Sequence, residues 1–107
     1  MEKVIIEKSV MDYFDGLIFK LFEEEYFGFL DASLNYVDKI LDFLLRDLPD
    51  TPHKISPSEL VSYGSYYTFH KANNTTTWFI FFEIKEDKFV VRKILNNHQP
   101  EIRFMNL

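Results

Sequence analysis

The sequence predicts an α+β domain in which an N-terminal strand and an antiparallel helical hairpin precede a three-stranded antiparallel sheet (β-α-α-β-β-β). A short β-branched run stands near the start, apolar residues then recur at helical spacing, and the second half alternates Tyr-, Phe- and Thr-rich runs with turn signals. The 107 residues suffice for one domain, so we assign 1–107 to a single domain.

The first half carries the strand and both helices. Residues 4–6 are β-branched and flanked by charges, which is typical of a short strand. Apolar residues recur every three or four positions between 14 and 22, and again between 34 and 48, so two amphipathic helices are expected. The short connection between them predicts an antiparallel hairpin.

Polar residues, glycine and proline mark the expected helix ends. Ser9 is expected to cap the first helix, and Asp31 or Ser33 the second. Gly28 should end or kink the first helix, because glycine is a poor helix former and a common C-terminal cap. Pro49 should end the second helix, because proline disfavours a helical conformation in the residue before it.

The second half predicts a loop and then three strands. Residues 50–59 contain two prolines and are expected to form the loop. Asparagine tolerates a positive φ, so Asn73-Asn74 is expected to form a turn. The remaining elements are strands at 62–71, 76–84 and 88–95, with a second turn at Glu86-Asp87.

Two-residue turns would place Ala72 opposite Thr75 and Lys85 opposite Lys88. Side chains alternate between the faces of a sheet, so this register predicts an apolar face on the helices, with Lys71 and Lys93 near its edges, and a mixed face. The apolar face would carry Tyr67, Phe69, Trp78, Ile80, Phe82, Ile84, Phe89, Val91 and Leu95. The mixed face would carry Tyr66, Thr68, His70, Thr77, Phe79, Phe81, Glu83, Val90, Arg92, Ile94 and Asn96. We expect a functional site on the mixed face.

Composition excludes several classes of protein. The chain is 47% hydrophobic, which is too apolar for a disordered protein, and it has no cysteine, which excludes disulfides and a cysteine nucleophile. No apolar run reaches the roughly 20 residues that span a bilayer, and the N-terminus is unlike a signal peptide. We therefore expect a cytoplasmic protein without a membrane partner. The histidines are widely spaced and no Gly-rich phosphate loop is present, so neither a metal nor a cofactor is expected.

Charge is distributed unevenly. The net charge is −5, but residues 1–50 carry −7 and residues 51–107 carry +2. The acidic total argues against nucleic acid, whereas the mildly basic second half can still meet a polyanion.

The order of these elements resembles the RelE/ParE superfamily of toxins over nearly the whole chain. Residues 76–84 (TTWFIFFEI) are similar to that family's aromatic central strand, and residues 89–98 (FVVRKILNNH) to its last strand and the polar segment after it. The resemblance implies the toxin of a toxin–antitoxin pair, neutralised by a cognate antitoxin. One branch of the family cleaves mRNA on the ribosome without a metal, and another binds and poisons DNA gyrase.

The cleaving branch commonly has a basic residue at the entry to the central strand, and basic, His or Tyr residues near the C-terminus. Here Thr77 and Trp78 stand at the strand entry, so the expected arginine is absent. His98 lies in the C-terminal segment, just after Arg92 and Lys93. The resemblance therefore implies a catalytic role for His98, while the missing arginine argues against cleavage.

Metal-free RNA cleavage requires a general base, a general acid and a cation near the phosphate. The candidate catalytic residues are His98, His70, Arg92 and Glu83, because the last three share the mixed face and His98 follows it. Each has an alternative interpretation. His70 and His98 are also typical of solvated polar residues, and Arg92 with Glu83 of a cross-strand ion pair.

Lys71 and Lys93 are candidates for phosphate contacts, and Tyr66 for stacking on an RNA base. Lysines near strand edges also serve to block edge pairing. Aromatic residues such as Trp78, Phe79 and Phe81 are more typical of core packing than of base stacking.

Three functions stay open at this point. The first is a toxin that cleaves ribosome-bound mRNA. The second is a non-catalytic protein of the same fold, either a gyrase-type inhibitor or an inactive homologue that binds an antitoxin. The third is an unrelated α+β domain that forms a homodimer through residues 79–82, since such an apolar segment needs to be covered on both faces.

Overall fold

A five-stranded mixed sheet forms the centre of this α+β protein. The computed structural model describes residues 3–23 and 30–105. The sheet has the strand order β1-β5-β4-β3-β2. Its strands are β1 (Lys3–Ile6), β2 (Lys54–Ile55), β3 (Tyr66–Lys71), β4 (Thr77–Lys85) and β5 (Lys88–Asn96).

Two strands join the sheet that the sequence did not place in it. The three predicted antiparallel strands are present as β3, β4 and β5, but β1 pairs in parallel with β5. At the opposite edge β2 pairs with β3. β2 lies within residues 50–59, which were predicted to be a loop. The prediction of a three-stranded antiparallel sheet was therefore wrong in its strand number and in its purely antiparallel character.

Two helices, α1 (Lys8–Glu23) and α2 (Leu30–Asp42), pack against each other and contribute to one core with the sheet. The chain continues from α2 through a π-helical turn (Phe43–Asp47) and a 3₁₀ turn (Leu48–Asp50) that contains Pro49. The α-helix thus ends at Asp42, and the helical path runs through Pro49 to Asp50 with Leu48 in a helical conformation, so the predicted end at Pro49 was wrong.

The predicted helix starts were wrong, because Ser9, Asp31 and Ser33 all lie inside the helices. The predicted kink at Gly28 lies outside the described residues. None of the helices in the described ranges combines the length and the apolar character needed to cross a membrane.

The β3–β4 connection is one residue longer than predicted, and this moves the side chains of β3 to the opposite faces. The Ala72 amide donates to the Thr76 carbonyl, and Lys71 pairs with Thr77. The side chain of Asn73 causes the difference, because its Oδ1 accepts the amides of Thr75 and Thr76 at 2.9 and 2.8 Å. Asn73 therefore forms the turn through its side chain rather than through a positive φ.

The β4–β5 hairpin starts in the predicted register and then changes it. Lys85 faces Lys88, as predicted, but a bulge lies opposite Phe81 and Phe82 and leaves Arg92 as the extra residue on β5. Beyond the bulge, every β5 side chain has moved to the other face. The predicted positions of Ile94, Leu95 and Asn96 were therefore reversed.

The sheet is covered on both faces. The helix-facing core joins α1, α2 and β1 to Trp78, Ile80, Phe82, Val91 and Ile94. The opposite face packs Phe79, Phe81 and Leu95 under Leu60 and Met105, which belong to the short 3₁₀ segments Ser58–Leu60 and Pro100–Met105. The face predicted to carry the site is thus a second core, and the core interpretation of Trp78, Phe79 and Phe81 is confirmed.

Candidate functional site

His70 lies on the helix-facing side of the sheet, in register with Trp78. Its ring centroid is 4.5 Å from that of Phe43 in the π-helical turn. Burial lowers the pKa of His70, and the nearby Asp47 carboxylate opposes this effect. Because β3 is shifted by one residue, His70 does not share a face with Glu83, contrary to the prediction.

Arg92 forms an ion-pair cluster with two carboxylates. Its guanidinium nitrogens lie 3.6 Å from Glu83 and 3.7 Å from Glu7. The same Glu83 oxygen accepts the backbone amide of Ser65 at 2.9 Å. The cross-strand ion-pair interpretation of Arg92 and Glu83 is therefore confirmed, and the positive charge of Arg92 is balanced within the protein.

His98 lies at the other end of the sheet. Its Nε2 is 3.3 Å from Thr76 Oγ1, and its backbone amide donates to Asn96 Oδ1 at 2.9 Å. Thr76 directly precedes β4 and Glu83 lies seven residues further along the chain within that strand, which corresponds to about 23 Å at about 3.3 Å per residue. The four candidate catalytic residues are therefore not brought together in one site.

The three candidate RNA contacts are also separated. Lys71 is exposed at the end of β3. Lys93 lies over the ring of Tyr63, 5.2 Å from its centroid, beside the second core. Tyr66 stacks on Phe82 on the helix-facing side. These side chains do not form one RNA-binding surface.

An open cleft of about 810 Å³ lies between α1 and the end of the sheet where His98 is located. It is within the size range typical of ligand sites. The described residues that line it are Tyr13, Gly16, Leu17, Lys20, Tyr36, Asn73, Thr75, Thr76, Trp78, Asn96, His98 and Gln99. Of the candidate site residues, His98 alone is among them.

One wall of the cleft is a stripe of α1. Tyr13, Gly16 and Lys20 are spaced by three and four residues, so they lie on the same side of the helix. The Tyr13 ring meets Trp78 edge-on, with centroids 6.2 Å apart, and Trp78 Nε1 donates to Tyr36 Oη at 2.9 Å. Burial, together with the neighbouring Tyr36, raises the pKa of Tyr13, which keeps its hydroxyl protonated at neutral pH.

The opposite wall is held in place by Asn97. The Asn97 side chain accepts the Thr77 amide at 2.9 Å and donates to the Thr75 carbonyl at 3.0 Å. The Asn97 amide in turn donates to the Thr77 carbonyl. These bonds fasten the segment after β5 to the β3–β4 turn, and they position the neighbouring His98 beside Thr76.

The sequence contained a signal for this site that periodicity alone did not reveal. Gly16 stands inside a helix that is otherwise well formed, and an isolated glycine there commonly has a packing or functional reason. The partner wall could not be anticipated, because it depends on the register of β3, β4 and β5.

Within the described ranges, no group of three or more His, Asp or Glu side chains is placed to hold a metal ion. No family model, curated protein or solved structure matches this chain.

Proposed function

We propose that this protein is the toxin of a toxin–antitoxin pair, of the RelE/ParE type, and that it acts on RNA through the cleft that contains His98. The observation that carries the proposal is the position of His98, the candidate that the resemblance singles out, in the wall of an open cleft with Lys20 and three aromatic rings. The element order of strand, two helices and antiparallel strands supports the fold assignment.

The cleft offers the groups that metal-free RNA cleavage requires. In that reaction a base removes the proton of the 2′-hydroxyl, the oxygen attacks the adjacent phosphorus, and the 5′-oxygen leaves with a proton from an acid. The imidazole of His98 is of the side-chain type that most often serves as a general base or a general acid. Tyr13 is a protonated donor, and Lys20 is a cation for the charge that develops on the phosphate.

A second function, binding without cleavage, is favoured by the ion-pair cluster at the other end of the sheet. Arg92 is neutralised between Glu7 and Glu83, so it is not a free cation for a phosphate. A gyrase-type inhibitor or an inactive antitoxin-binding homologue needs no assembled acid–base set.

The proposed protein is cytoplasmic and is neutralised by an antitoxin that docks on exposed apolar side chains. Among the described residues, Phe19, Ile55 and Phe69 are exposed by 65%, 78% and 57%. A homodimer is not needed to cover residues 79–82, because Leu60 and Met105 of the same chain pack against that segment.

The test is controlled expression of this chain alone in bacteria, with growth measured after induction. We expect arrest by the wild type, relief by His98→Ala, and arrest by His70→Gln, which removes a histidine outside the cleft. Mapping of RNA 5′ ends should show discrete cuts within coding regions for the wild type and His70→Gln, but not for His98→Ala.

Three results separate the alternatives. Arrest that persists in His98→Ala without RNA cuts would favour the binding function. Relief by His70→Gln rather than by His98→Ala would move the catalytic site to the sheet. Absence of arrest by folded protein would refute a toxin that acts on its own.

A further inference from the structure

Gly16 is exposed, and a methyl group at this position would meet no atom within 4 Å apart from its chain neighbours and the adjacent backbone of its own helix. Glycine in a helix costs roughly 0.5–1 kcal/mol relative to alanine, and nothing in the described packing requires it here. Since Gly16 lines the cleft, its lack of a side chain leaves the middle of the α1 wall open. Such an opening lets a ligand approach the helix backbone closely.

The amide side chains around the cleft present donors. The oxygens of Asn73, Asn96 and Gln99 each accept backbone amides, at 2.8 to 2.9 Å. Their NH₂ groups have no partner among the described residues. With the ammonium group of Lys20, they make the lining rich in donors.

No carboxylate belongs to the described lining, although the chain carries 17 Asp and Glu residues. A lining whose described residues supply many donors, one lysine and no carboxylate suits an anionic ligand that is rich in acceptors. Phosphate oxygens and the ring nitrogens and carbonyls of a nucleobase have this character. The ring of Tyr13, directly beside Gly16 on the helix, offers an aromatic contact for a planar base.

We propose that the cleft binds one nucleotide of a single-stranded RNA, with the base passing over Gly16 against Tyr13 and the phosphate near Lys20. Gly16 is thus a specificity-determining position, since a side chain larger than a methyl group would occupy the path of the base. This inference rests on the proposed function for the source of the nucleotide, which is RNA rather than a free nucleoside monophosphate.

The test uses the purified full chain titrated with a mixed-sequence RNA hexamer and, separately, with the four nucleoside monophosphates. Binding is followed by NMR, through the indole N–H of Trp78 and the ring protons of His98. We expect the hexamer to bind more tightly than any monophosphate. Gly16→Leu should weaken binding of the hexamer by about tenfold or more, a loss of about 1.4 kcal/mol. The affinity of Gly16→Ala for the hexamer should be within about twofold of the wild-type value.

Lys20→Ala provides a variant that does not depend on the packing of a new side chain. It should weaken binding of the hexamer. It should also reduce the slope of log affinity against log salt concentration by about 0.7, the value for one phosphate contact on a single strand. Lys39→Ala, which removes an exposed lysine of α2 outside the cleft, should change neither quantity.

Equal affinity of wild type and Gly16→Leu for the hexamer would overturn the inference, as would absence of binding. Monophosphates that bind as tightly as the hexamer would overturn the assignment to RNA. Failure of the proposed function gives a different pattern. The hexamer then binds and Gly16→Leu weakens that binding, but expression of the wild type does not arrest growth. Conversely, arrest that Gly16→Leu leaves intact would refute the inference and retain the toxin.

Discussion

Replacing Gly64 by alanine should destabilise the protein strongly, because the space for a methyl group is already filled by backbone. A Cβ at this position would lie 2.6 Å from the Phe82 nitrogen and 2.9 Å from the Phe81 carbonyl carbon, whereas ordinary contact begins at 3.4 Å. Gly64 does not have a positive φ, so the requirement is for space rather than for conformation. The obstacle is the backbone of the central strand β4, opposite the bulge of β5, and backbone within a sheet cannot rotate away as a side chain can.

Overpacking of a core typically costs 1–3 kcal/mol, and an obstacle made of backbone places this variant near about 2–3 kcal/mol. For a domain of about 100 residues, that corresponds to a fall in Tm of about 10 °C or more. The assay is urea unfolding followed by the fluorescence of Trp78, the one tryptophan of the chain.

Gly16→Ala is the matched control. The substitution removes a glycine from a helix, and the added methyl group meets no atom within 4 Å beyond the adjacent backbone of that helix. It should raise the free energy of unfolding by about 0.5–1 kcal/mol. The free energy of unfolding should therefore fall in Gly64→Ala and rise in Gly16→Ala. Equal or greater stability of Gly64→Ala would refute the close approach of this residue to β4.

Three further outcomes are expected. Tyr36→Phe should lower the free energy of unfolding by about 1–3 kcal/mol in urea titrations, because it leaves the buried Trp78 N–H without this acceptor; an unchanged midpoint would contradict that bond. Burial lowers the pKa of His70 in the folded protein below its ordinary 6.5, so the unfolded chain binds more protons. The stability of the wild type should therefore fall more steeply than that of His70→Gln as the pH drops below about 6.5. Parallel profiles of stability against pH would exclude this effect. Asn97→Ala should speed hydrogen exchange at the Thr77 amide, which loses its side-chain acceptor, and protection equal to wild type would show that Asn97 does not fasten this segment.

Local signals predicted the elements that depend on nearby residues. Glu86 and Asp87 set the β4–β5 hairpin, and Lys85 faces Lys88 as the two-residue turn requires. Glu86 takes the positive φ in this turn, with φ at 58°. Such a connection involves few residues, so its register can be inferred from sequence.

The errors arose where one additional residue shifts the register of a strand against its neighbour. Asn73 lengthens the first hairpin by one residue, and the bulge at Arg92 adds one residue to β5. Because the side-chain period of a strand is two, each change moves the residues beyond it to the opposite face. His70 and Glu83 were separated in this way, so the predicted catalytic set did not assemble.

The candidate site was predictable only in part. His98 was identified from its place after the last strand, but the opposing wall of α1 was not. That wall meets His98 only when α1 lies across the end of the sheet, an arrangement that depends on packing between residues far apart in the chain.

The sequence alone determined the α+β class, the two helices, the three main strands and their order, because periodicity and turn residues act over short distances. Tertiary structure alone decided the parallel pairing of β1 with β5, the addition of β2 and the coverage of both faces. It also decided which polar residues meet in one cleft. These features follow from contacts between distant segments, and a shift of a single residue reverses the face on which a strand presents its side chains.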